Sequence, residues 1–300
     1  MSILNMPSDG LFNVLIVLTR ALVRLGPKSR SELLKACGAE LDAVDPKHLN
    51  QSLTRWTELG LFSADDGLVT VREPYRSLLG RDADIAEARL PKVAREIALA
   101  PDNNARFWEA EENRSADFSR GLSWILAQDV YALDTSSHQR VATLESTQVA
   151  DDAKRMLQND TRWNGLRTWM LYLGFARGGA QITIDPTDAV RDMLPSIFGR
   201  DESLPAPIFV ERAATSLPVL DGGVYRLKIE EVLKDSNWTR PSEGHLSSAF
   251  SRAIQRLDRE GLIAAEKKSD SEEGIMLTGV DQRPWRSMTH IRRIQTKKGN

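Results

Sequence analysis

Cysteine is almost absent from this 300-residue chain. Cys37 stands alone, so no disulfide framework can form and a thiolate zinc site lacks its ligands. Histidine is as sparse. His48, His138, His245 and His290 are scattered, none at the i, i+4 spacing of a helical metal pair. There is no G-x-x-x-x-G-K phosphate loop and no G-x-S-x-G elbow. Asp221 with Lys228 and Glu230 comes nearest to an acid-plus-lysine nuclease centre but lacks the tight acid-x-lysine core. Nor does any run approach the roughly 20 apolar residues that span a membrane. The most apolar stretch, Leu11 to Leu18, is interrupted by Asn13, followed by Arg20 and Arg24, and has no basic leader. These absences predict a soluble cytoplasmic protein that is not an enzyme and carries no metal or cofactor.

An excess of either charge is missing too. The 40 basic and 42 acidic side chains leave a net charge of −2. Their distribution is uneven: residues 1–80 hold 9 basic and 9 acidic, 81–223 hold 16 and 22, and 224–300 hold 15 and 11, for net charges of 0, −6 and +4. A nucleic-acid partner needs a local positive face, not a basic whole. By charge alone the C-terminal part is the better candidate.

What the chain does have is a pattern used three times: a helix, a glycine, a short apolar strand, a polar turn and a second strand. The first instance runs from Thr54 through Gly60 to Leu61-Phe62, then Asp65-Asp66-Gly67, then Leu68 to Val71. The second runs from Leu166 through Gly174 to Phe175-Ala176, then Gly178-Gly179, then Gln181 to Ile184. The third runs from Ile254 through Gly261 to Leu262-Ile263, then a long polar tip, then Ile275 to Thr278. Glycine ends a helix in the left-handed conformation without a Cβ clash, and Asp-Gly or Gly-Gly suits a tight hairpin. The expected fold is therefore mainly α with small β-hairpins (α+β), three tandem winged helix-turn-helix modules joined by helical connectors.

The modules fall at 1–82, 116–200 and 223–282. A helical connector at 83–115, a Pro/Gly-rich linker at 201–222 and a basic tail at 283–300 complete the chain. In module one, Ser8 or Asp9 would cap a helix over Leu11 to Leu25, and Arg30 to Cys37 forms a second. Asp45-Pro46 starts the third, with Asp45 as cap and Pro46 where its missing N–H costs nothing. In module three a strand-to-helix transition over Tyr225 to Leu233 precedes a helix from Ser242 or Glu243 to Glu260. Trp56, Trp163 and Trp169 lie on apolar stripes and are expected in the core.

Two helix faces are candidates for duplex DNA. His245, Ser248, Arg252, Gln255, Arg256 and Arg259 share the polar side of the module-three helix, with Lys267 and Lys268 on its wing. Arginine suits guanine and phosphate in the major groove. The same spacing also describes a solvated face whose arginines pair with Asp258, Glu260 or Glu266. Lys47, Asn50, Gln51, Thr54 and Arg55 form a second face, whose amides read adenine well. Its wing tip, Asp65-Asp66, would repel phosphate. The tail residues Arg283, Arg286, Arg292, Arg293, Lys297 and Lys298 form either a phosphate-binding arm or an unstructured end.

The opening Ser2-Ile3-Leu4-Asn5-Met6-Pro7-Ser8-Asp9-Gly10-Leu11, with the leucine-rich helix and first module behind it, resembles the bacterial DpdG family. That family is encoded with clusters that place 7-deazaguanine derivatives in DNA and restrict foreign DNA. The resemblance implies an accessory role in antiviral defence beside DNA-processing ATPases and nucleases, and supplies no active site. The expectation is a non-catalytic DNA-binding accessory protein using module three, with module one as a second candidate. The alternative is a scaffold that docks partner subunits through the same modules.

Overall fold

The computed structural model describes residues 3–4, 12–109, 114–178, 181–268 and 274–294. Ser8, Asp9, Leu11, Gly179, Lys297 and Lys298 lie outside the described residues. Among the described residues it is a mixed α/β protein, about 52% helical, with twelve α-helices and small antiparallel sheets. Contacts divide it into two compact units. One comprises 1–119 and 159–173, the other 120–158 and 174–300.

The first unit opens with α1 (Phe12–Leu25), β1 (Lys28–Ser29), α2 (Arg30–Ala36), α3 (Pro46–Leu59), β2 (Phe62–Asp65) and β3 (Leu68–Val71). Asp45 accepts from the Lys47 N–H at 2.8 Å and Pro46 is the first residue of α3, as the sequence predicts. Asp66 and Gly67 both take positive φ (51° and 77°), the mirror-image turn that suits a twisted hairpin. β3 sits between β1 and β2, with Phe62 paired to Val71 and Lys28 to Val69. Then come α4 (Tyr75–Leu79) and α5 (Ala83–Leu99), which runs unbroken through Pro91.

Chain order continues with α6 (Ala116–Leu126), which begins in the first unit and ends in the second. α7 (His138–Gln148) belongs to the second unit and α8 (Asp160–Tyr172) to the first. Within the first unit the Trp56 and Trp169 rings approach to 5.6 Å, and Tyr172 stacks on Phe12 at 4.5 Å. Trp56, Trp163 and Trp169 are all buried, as expected. Asn103 donates to the carbonyls of Leu59 and Ile97, both at 2.9 Å, tying the last turns of α3 and α5 together. Those carbonyls would otherwise be orphans of a helix end.

The second unit holds the hairpin β4 (Ala176–Gly178) and β5 (Ile182–Ile184), then α9 (Thr187–Phe198), β6 (Ser203–Pro205), α10 (Ala206–Ser216), α11 (Val224–Glu230) and α12 (Ser248–Arg259). The glycines ending the three predicted helices all have positive φ: Gly60 at 100°, Gly174 at 80° and Gly261 at 68°. Gly174 has a second reason, since a Cβ there would meet the Ala189 nitrogen at 2.9 Å. Phe209 stands between Phe198 and Phe250, with centroids 5.7 and 6.4 Å apart, and joins α9, α10 and α12 in one core.

Several elements differ from the sequence reading. Residues 201–222 fold as β6 and α10, because Phe209 and Ala213 find a core that masks the flanking prolines. Residues 224–230 form α11, which leaves Leu227 exposed and Tyr225 and Ile229 buried. α12 begins only at Ser248, capped by Ser247. The third hairpin does not join its two predicted strands. β7 (Ile263–Glu266) pairs with β10 (His290–Arg293), and β8 (Ile275–Thr278) pairs with β9 (Pro284–Met288). β10 also pairs with β6. Part of the basic tail is thus strand. Ile291 faces inward, while Arg292 meets Glu266 at 2.9 Å and Arg286 meets Asp258 at 2.8 Å.

Replacing Asn103 with Ala removes two carbonyl partners without opening a large void. A loss of about 1–3 kcal/mol is expected for two buried acceptors left unmatched. Urea unfolding followed by circular dichroism checks it.

Candidate nucleic-acid interface

In the first unit α2 is fixed by a capping box. Ser29 Oγ accepts from the Glu32 N–H at 3.3 Å, and the Glu32 carboxylate accepts from the Ser29 N–H at 3.1 Å. The hydrogen bonds from Ser29, side chain first and backbone second, hold the Glu32 carboxyl below its ordinary value. This anchors Arg30, the first residue of α2, across α3. Its Nε donates to Asn50 Oδ1 at 2.9 Å and its Nη2 to Thr54 Oγ1 at 2.6 Å. Arg30 was absent from the sequence candidates because its reach depends on the angle between α2 and α3.

Lys47 and Asn50 are exposed, and Gln51 and Thr54 half-buried, so four of the five residues predicted for this face meet solvent. Arg55 does not. Ser52, Arg55, Trp56 and Leu59 fall at i, i+3, i+4 and i+7, so the guanidinium lies on the buried stripe, 2% exposed and 3.5 Å from Glu58. A flexible arginine stem can accompany an apolar stripe inward, which a charge-based reading overlooks.

In the second unit two of the three arginines predicted to share a solvent face, Arg252 and Arg256, are drawn onto one carboxylate. Asp185, 1% exposed at the end of β5, lies 2.9 Å from Arg256, 3.5 Å from Arg177 and 4.0 Å from Arg252. Its other oxygen accepts from the Thr187 N–H at 3.1 Å and from the Thr187 hydroxyl. Arg252 also stacks over Tyr131, its Cζ 5.2 Å from the ring centre. Asp188 binds Arg177 at 2.7 Å and pairs with Arg191, which in turn reaches Glu260. The acids expected to neutralise α12 therefore hold other arginines: Asp258 takes Arg286, Glu260 takes Arg191 and Glu266 takes Arg292.

The rest of that predicted face is dispersed. His245 precedes α12 and its ring Nδ1 lies 3.1 Å from the Glu243 carbonyl. Ser248 is buried, its hydroxyl accepting from the Val130 N–H at 3.0 Å. Gln255 is half-buried. Arg259, Lys267 and Lys268 are exposed, and no ion pair engages them among the described residues. Asp221, the acid of the suspected nuclease arrangement, binds the Ser247 N–H and hydroxyl at 2.6 and 2.7 Å, while Glu230 pairs with Arg226 and Arg240.

Among the described residues no group of three or more His, Cys, Asp or Glu side chains gathers as metal ligands. No helix there is long and apolar enough to cross a membrane. A protein-family model described as DpdG-like matches residues 1–271. No curated protein and no solved structure matches the chain.

Asp185→Ala strands three guanidinium groups beside a buried site. Breaking such a pairing costs about 3–5 kcal/mol. Arg256→Gln, at a side chain about one-third exposed, costs about 1 kcal/mol or less. Denaturant midpoints of the two variants check the order.

Proposed function

The chain belongs to the DpdG-like family, and from that premise we propose that it is a non-catalytic, cytoplasmic, DNA-binding accessory protein of a bacterial defence system. Family membership points to a role in the Dpd 7-deazapurine modification system. The observation that carries DNA binding is the first unit. Its order of α1, β1, α2, α3 and a β2–β3 hairpin follows that of a winged helix-turn-helix, in which the third helix enters the major groove. α3 offers that groove Lys47 for phosphate and Asn50, Gln51 and Thr54 for base edges, with Arg30 as a further cation.

The weight accordingly moves from α12 to α3. Arg252 and Arg256 would have to leave Asp185 before meeting phosphate, and such an exchange gains little. Arg259, Lys267 and Lys268 remain as auxiliary phosphate contacts. Arg55 and Ser248, being buried, are not contacts in this reading.

A second reading has one observation in its favour. Asp65 and Asp66 stand exposed at the tip of the β2–β3 wing, where a DNA backbone would be repelled. In that case the module docks an ATPase or nuclease subunit instead.

A salt titration on generic duplex DNA separates the two. Several phosphate contacts predict a loss of roughly 10³–10⁵ in affinity between 50 and 200 mM salt. Lys47→Ala should weaken binding to all sequences alike, and Gln51→Ala should narrow the difference between sequences. Arg252→Gln should change little. No retention at low salt would favour docking to protein.

A further inference from the structure

Two hollows adjoin in the second unit. The larger, about 250 Å³, has apolar walls from Leu133, Leu144 and Trp238. The smaller, about 90 Å³, lies at the start of α12 and is lined by Arg240 and His245. Both include Gln128, Asp129 and Gln282 in their lining, so they are two lobes of one cavity. We propose that this cavity binds a single guanine nucleotide, with the base in the larger lobe and the phosphate in the smaller.

The larger lobe has the features of a base site: apolar walls and a few fixed polar groups. Its inner wall is locked by a buried amide relay. Trp124 Nε1 donates to Gln148 Oε1 at 3.0 Å, Gln148 Nε2 to Gln128 Oε1 at 2.9 Å, and Gln128 Nε2 to the Trp124 carbonyl at 3.0 Å. Asp129 is left to read. One carboxylate oxygen accepts from the Tyr131 N–H at 3.1 Å, and no donor reaches the other among the described residues. A carboxylate acceptor selects the base edge with two adjacent N–H donors, which is guanine, over adenine with its N1 acceptor. Gln282 supplies the amide N–H for the neighbouring carbonyl. It sits on the rim with φ 56°, directly after Asp281, also at 56°. Two consecutive non-glycine residues in the left-handed region are costly and tend to persist at functional turns.

The smaller lobe suits a phosphate through its cation. The Arg240 side chain is 56% exposed, 3.2 Å from Glu230, with its guanidinium 5.8 Å from the Trp238 ring centre. Asp221 already occupies Ser247 at the helix start. Arg240 and His245, not the helix dipole, therefore carry the anion. The site is separate from duplex binding by α3, and it accepts the same nucleotide whether free or turned out of a strand.

Titration of the full chain with dGMP, followed by tryptophan fluorescence and equilibrium dialysis, tests it. Saturable binding is expected, with dAMP, deoxyguanosine and inorganic phosphate each at least about tenfold weaker. Asp129→Asn should abolish the preference for dGMP over dAMP, and Arg240→Gln should weaken dGMP by at least about tenfold. Gln282→Ala, at an exposed turn, should also weaken dGMP and keeps the test open if Asp129→Asn fails to fold. No saturable dGMP binding, or an affinity indifferent to Arg240→Gln and Gln282→Ala, overturns the site. A guanine-containing single strand that displaces dGMP identifies a nucleic acid as the source. Failure to displace identifies the free nucleotide, and either result retains the site. Duplex affinity at low salt is measured separately, so the failure of one reading leaves the other standing.

Discussion

Asp185 decides which arginines of α12 are available. One carboxylate, shut away from solvent, gathers guanidinium groups from β4 and from two turns of α12. Its remaining acceptor capacity goes to Thr187 at the start of α9. Attraction across a low-dielectric site is strong, yet so is the cost of desolvating the ions, so the cluster fixes geometry more than it adds stability. Strand, helix start and helix face are held in register by a single acid. Arg252 and Arg256, which the sequence places on a free face, are thereby the cluster's own ligands.

In the first unit the solvent face of α3 is arranged differently. α3 keeps Lys47, Asn50, Gln51 and Thr54 toward solvent, and its single buried cation, Arg55, is turned inward beside Trp56. Arg30 contributes from a neighbouring helix whose start is set by the Ser29–Glu32 box. A rigid helix with short amides outward and an aromatic core behind it meets the general requirement for a base-reading surface: placement before chemistry. The proposed role in a DNA-modification system rests on that surface together with family membership.

Local chemistry was legible in the sequence wherever short-range physics governs. Asp45-Pro46 starts α3, Gly60 ends it and Asp66-Gly67 turns the hairpin. Each is settled within four residues. Features set by distant partners were hidden. α10 lies between prolines and is recognisable only through the core that Phe209 shares with Phe198 and Phe250. β9 and β10 carry a basic composition that resembles a solvated tail until Asp258 and Glu266 are seen opposite Arg286 and Arg292. The pairing of Arg256 with Asp185 spans 71 positions (256 − 185), and no periodicity encodes it. Lys47, Asn50, Gln51 and Thr54 on α3 meet solvent because helix face alone determines their exposure, whereas the α12 candidates depend on what packs against them.

Amide hydrogen exchange of the full chain, with and without a generic duplex at low salt, tests most directly whether α3 rather than α12 meets DNA. Slowed exchange over residues 28–59, with α12 unchanged, is the predicted result. Protection confined to residues 248–259, or none anywhere despite measured binding of a protein partner, would contradict the account.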